Sequence, residues 1–79
     1  MPKQTRSTPS RSVNARERIS TNIKVLRAER GLSQEGLAEL AGFHRTYVSQ
    51  LERCVTNISV DGLERLAHAL SVDVTDLLK

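Results

Sequence analysis

Apolar residues in this chain recur every three or four positions, and no stretch sustains an alternation of apolar with polar. Ile19, Ile23 and Leu26 follow that spacing, as do Leu37, Leu40 and Ala41 with Ala38 beside them, then Val48 and Leu51. Leu63, Leu66, Ala67 and Leu70 continue it, and Val74, Leu77 and Leu78 close the chain. Such spacing puts one apolar stripe on each of a series of helices, so the chain is expected to be all-α. The breaks agree. Gly31 stands where a first helix, about 14–30, would end, and Ser33 is a good N-cap for a second. A third helix starts near His44, Ser59 caps a fourth, and Asp73 or Thr75 caps a short fifth. Gly36 lies inside the second helix at a cost of up to about 1 kcal/mol relative to Ala, and the sequence offers no reason for it.

A chain of 79 residues makes one small domain, stabilised by burial of only about 60% of its unfolded surface. With one Tyr, one Phe and no Trp, the core must be aliphatic. The single cysteine, Cys54, cannot form an internal disulfide, which points to a reducing compartment. No apolar run approaches the roughly 20 residues that span a bilayer. The first 18 residues lack the apolar core of a secretory signal, so a cytoplasmic protein without membrane contact is expected. Residues 1–12, rich in Ser, Thr, Pro and Arg, have little to bury and read as a flexible basic arm ahead of a domain at 13–79. Such an arm either contacts phosphates or only solubilises.

The net charge of +3 hints at nucleic acid, but its distribution weakens the hint. Residues 1–18 hold five cations against Glu17, whereas residues 19–79 hold seven cations and eight anions. The folded part is nearly neutral.

The segment LAELAGFHRTYVSQLE, 37–52, is more informative. Two helical patterns meet at Gly42, where glycine permits the left-handed backbone of a sharp helix–helix turn. Beyond it, Val48 and Leu51 take one side of the third helix, while Arg45, Thr46, Ser49 and Gln50 take the other. Short hydroxyl side chains allow close approach to a phosphate backbone. An arginine offers a fork for guanine, and a glutamine amide pairs with adenine. That face suits the major groove of double-stranded DNA.

At these residues the chain resembles a family. The run IKVLRAERGLSQEGLAELAGFHRTYVSQLER is similar to the helix-turn-helix of XRE-type, lambda-repressor-like regulators, and NISVDGLERLAHALSVDVTDLL is similar to their last two helices. The HRTYVSQLER segment most resembles the controller proteins of restriction–modification systems, which are small homodimers. The resemblance implies a compact five-helix DNA-binding domain acting as a homodimeric transcriptional regulator on a near-palindromic operator. It implies that Gln34 donates to a phosphate, that His44, Arg45, Thr46, Tyr47, Ser49 and Gln50 face DNA, and that Arg53 reaches the backbone. Arg27 and Glu52 match positions of a largely buried ion pair. Val72, Val74, Leu77 and Leu78 exceed what a last short helix needs, and a two-fold seam would bury the surplus. Two departures stand out: Cys54 and Ser71 replace residues that are usually, and often, glycine in the family.

Other classes remain open on sequence grounds. An antitoxin-like or partner-binding helical protein would show a large apolar patch beyond one dimer seam, and an RNA-binding adaptor would prefer duplex RNA. Tyr47 is read equally well as a rim residue packed on its helix, and His44 as a cap. His44, His68 and Cys54 lack ligand spacing, so no metal is expected. Thr8, Ser10, Ser12 and Ser33 form no catalytic set with a histidine. No enzyme activity, cofactor or small-molecule ligand is expected.

Overall fold

The computed structural model describes residues 14–79; the arm expected at residues 1–12 lies outside them. Helix α1 (Ala15–Glu29) opens on a capping box. The Asn14 side chain accepts from the Glu17 amide at 2.9 Å, and Glu17 accepts from the Asn14 amide at 3.2 Å. Helix α2 (Gln34–Ala41) is capped by Ser33, whose hydroxyl accepts from the Gly36 amide at 2.9 Å. Helix α3 (Arg45–Glu52) is capped by His44, and α4 (Val60–Ala69) by Ser59. Gly62, early in α4, has a packing reason: a β-carbon there would stand 2.9 Å from Ile58 Cγ1.

The expected fifth helix is a single 3-10 turn, η1 (Val74–Leu77), capped by Asp73. Its three-residue period brings Val74 and Leu77 onto one side and turns Leu78 away. Leu77 is fully buried, with 0% of its surface exposed, and Leu78 is 39% exposed. Leu77 therefore completes the core of its own protomer and cannot be the seam residue that the sequence suggested. Val72 and Val74 are half-buried against the same core.

Helices α1, α2, α3 and α4 and the turn η1 enclose one aliphatic core. Helix α3 packs on α1 and α2, α4 packs on α2, and η1 bridges α1 and α4. The core contains Ile19, Ile23, Leu37, Ala38, Ala41, Val48, Leu51, Leu63, Leu66, Ala67, Leu70 and Leu77. One face differs from the sequence pattern. Leu40, expected inside, is 61% exposed, and Ala38 is buried in its place. At about 100° per residue, Ala38 and Leu40 lie about 80° on either side of the Leu37–Ala41 axis. Periodicity cannot choose between them.

Candidate nucleic-acid interface

Gly42 ends α2 in the left-handed conformation, with φ +78°, and its amide bonds back to the carbonyl of Glu39. Two residues later the His44 imidazole caps α3, its Nδ1 accepting from the Thr46 amide at 3.2 Å. The chain thus turns sharply and restarts as a helix whose inner side, Val48 and Leu51, is buried. Arg45, Thr46 and Arg53 are exposed, while Ser49 and Gln50 are half-exposed. Among the described residues, no salt bridge engages Arg45 or Arg53. That leaves their charge for an external anion.

The far end of α3 is held by charge. Arg27 Nε lies 2.7 Å from Glu52 Oε2, and its Nη2 lies 3.0 Å from Oε1, a bidentate pair. Arg27 Nη1 also donates to the Leu32 carbonyl at 2.8 Å, in the turn between α1 and α2. Ser20, buried on α1, donates its hydroxyl to the Glu52 carbonyl at 2.6 Å. The Glu52 side chain is 5% exposed and that of Arg27 is 21% exposed. Burial raises the Glu52 carboxyl, but hydrogen bonds from Arg27 and Gln34 and the charges of Arg27 and Lys24 outweigh it. The group is held below its ordinary value near 4.5. Turned inward, Glu52 leaves the outer face of α3 cationic.

Two expected DNA contacts have partners inside the protein. Gln34 Nε2 donates to Glu52 Oε1 at 3.0 Å, so one of its two amide hydrogens braces the ion pair. The Tyr47 hydroxyl donates to the Asn57 carbonyl at 2.7 Å, and its ring lies 5.0 Å from that of Phe43. Burial raises the Tyr47 phenol above its ordinary value, and the Arg65 charge partly offsets this. Asn57 also accepts the Arg16 guanidinium on its side-chain oxygen, tying the loop after α3 to α1.

Sequence reasoning missed Arg65. From α4 it donates to the Ala41 carbonyl at 3.0 Å and to the Gly42 carbonyl at 2.6 Å, and its guanidinium lies 4.1 Å from the Phe43 ring centre. An exposed arginine on a helix carries no sequence signal for such a role. Cys54 and Ser71 keep the turns their positions require, with φ +62° and +58°. The loops stay in place, and the left-handed residues are simply not glycine.

A short helix, a turn at a left-handed glycine, and a second helix presenting unpaired cations define a helix-turn-helix module. The match to that family runs over residues 23–77, and the chain belongs to the helix-turn-helix family. It is 39% identical to the control protein C.SmaI of Serratia marcescens over 66 residues, covering 84% of this chain and 79% of that one. The structure of the restriction-modification controller protein C.AhdI from Aeromonas hydrophila is similar with a TM-score of 0.76 at 37% identity, covering 78% of this chain and 94% of the other. SinR, the biofilm master regulator solved in complex with DNA, gives a TM-score of 0.73 at 42% identity, covering 77% of this chain and 98% of its own.

Proposed function

We propose that this chain is a sequence-specific, double-stranded-DNA-binding transcriptional regulator acting as a homodimer on a near-palindromic operator, after the manner of restriction–modification controllers. The observation that carries this reading is the outer face of α3. Arg45, Thr46, Ser49 and Gln50 stand together beyond the turn, with Arg53 at the helix end and Glu52 turned inward. On this reading Arg45, exposed in the first turn, takes a guanine edge, and Arg53, exposed at the helix end, takes the phosphate backbone. The similarity to C.SmaI, C.AhdI and DNA-bound SinR supports the same conclusion. Gln34 reaches a phosphate only with its second amide hydrogen, since the first is on Glu52. The basic residues 1–12 supply phosphate contacts without sequence preference.

A dimer places two α3 helices about 34 Å apart, matching half-sites one DNA turn apart. Leu78, turned outward at the end of η1 and 39% exposed, is the seam residue of choice. Among the described residues, no helix is long and apolar enough to cross a membrane.

The test is selection of duplex DNA from a randomised pool, followed by a footprint upstream of the chain's own gene. A palindromic consensus is expected. Arg45→Ala should cost about 1–3 kcal/mol on it and relax one base pair per half-site. Sedimentation at micromolar concentration should show a dimer that Leu78→Asp weakens. Preference for a duplex RNA competitor, or equal weakening by Arg45→Ala on selected and scrambled DNA, would count against this assignment.

A further inference from the structure

Arg65 belongs to α4, outside the helix pair that presents the reading face, yet its side chain is committed to that pair's turn. The carbonyls it binds belong to Ala41, the last residue of α2, and Gly42, which caps it, and both lack a following helical amide. A β-carbon at Gly42 would stand 2.8 Å from Arg65 Nη2, so the glycine leaves the space that the guanidinium uses. On its other side the guanidinium stacks on Phe43, Phe43 leans on Tyr47 at 54°, and Tyr47 binds the Asn57 carbonyl. One continuous chain of contacts therefore runs from α4 through the turn, along the first turn of α3, to the loop beyond it.

We propose that Arg65 is a positioning residue for sequence discrimination. Through the turn carbonyls and the Phe43–Tyr47 pair it fixes the angle at which α3 leaves the turn, and hence which α3 side chains meet base edges. This inference rests on the DNA-binding reading above. Base-edge contacts need both bonds of a bidentate pair aligned, whereas long cations follow a phosphate through small rotations. Loss of the Arg65 fork thus falls on discrimination before it falls on general affinity. Lysine cannot substitute, because an ammonium has no planar face to stack and no paired donors in fixed geometry.

The experiment titrates the full chain, Arg65→Lys, Arg65→Ala and Phe43→Leu onto a duplex that the wild type selects from a randomised pool, and onto its scrambled version, at two salt concentrations. Melting curves check folding. Arg65→Lys and Phe43→Leu keep the charge at position 65 and carry the test if Arg65→Ala does not fold. The expected result is a loss of about tenfold in the selected-to-scrambled ratio for each variant, with binding to the scrambled duplex nearly unchanged in Arg65→Lys. Tyr47 is the one tyrosine and there is no tryptophan, so near-ultraviolet dichroism of the free protein should also change in Arg65→Lys. A wild-type ratio in Arg65→Lys overturns the proposal. So does equal weakening on both duplexes with a salt slope lower by about 0.9 per lost contact, which would make Arg65 a phosphate ligand. A wild type that enriches no duplex overturns the DNA-binding reading itself, a result distinct from either.

Discussion

The two ends of α3 solve the same problem with opposite chemistry. At its start a left-handed glycine, an imidazole cap and an arginine stacked on the Phe43 ring hold the entering chain. At its end a left-handed cysteine follows a helix whose last carboxylate is locked to Arg27 and Gln34. Gly42 is required twice, for its backbone angle and for the space that Arg65 occupies. Cys54 meets the angle requirement without being glycine, and charge does the fastening there. The start is held by backbone shape and a guanidinium on neutral partners, the end by an ion pair with a titratable carboxylate, so the two ends should respond differently to mutation and to pH.

Breaking the electrostatic end has the largest expected effect. Arg27→Met leaves the Glu52 carboxylate buried without its partner, at a cost of about 3–5 kcal/mol, a large share of what a domain this small possesses. The double variant Arg27→Met, Glu52→Leu should recover most of that, because no charge is then left inside. Urea melts of both decide it, and a single variant as stable as wild type would remove the ion pair from the account.

Acid should act on the same end. Glu52 is held below its ordinary value near 4.5, so its contribution to stability is fully present above that pH and is lost as pH falls through the lower folded-state value. Glu52→Gln should flatten the acid limb of the stability profile below about pH 4.5 while lowering stability at neutral pH. A parallel acid limb in the variant would assign the loss to other carboxylates.

At the other end, Gly42→Ala should cost about 1–2 kcal/mol for the left-handed backbone, and more if Arg65 cannot swing aside. That cost should be the same at every pH, with the acid limb running parallel to that of wild type, since Glu52 and its partners are untouched. A loss that grows below pH 4.5 would blur the distinction between the ends.

The sequence carried the helices, their serine and aspartate caps and the Gly42 turn, because caps and turns are local and α-helical spacing is visible over two or more turns. It placed Arg27 against Glu52 only through family resemblance, since 25 residues separate them. What stayed hidden was non-local or degenerate. Ala38 and Leu40 are equivalent by helical phase, and only the approach of a neighbouring helix favours the smaller side chain inside. Leu77 and Leu78 separate only once the turn is known to be 3-10. Gln34, Tyr47 and Arg65 take partners from distant segments, and a polar side chain on a helix surface gives no sign of which way it will bond.

The smallest effect concerns the left-handed residues that are not glycine. Ser71 is exposed at φ +58°, where a β-carbon costs roughly 1–2 kcal/mol, and glycine gives part of that back through its freer unfolded chain. Ser71→Gly should therefore gain about 0.5–1 kcal/mol, a rise of several degrees in Tm for a domain of this size. Cys54→Gly relieves the same angle but removes a half-buried side chain whose sulfur lies 3.8 Å from the Arg16 carbonyl, so its gain should be smaller. The order of the two variants carries the comparison. If Cys54→Gly stabilises more than Ser71→Gly, backbone angle outweighs packing at the end of α3, and that end is fastened more loosely than its ion pair suggests.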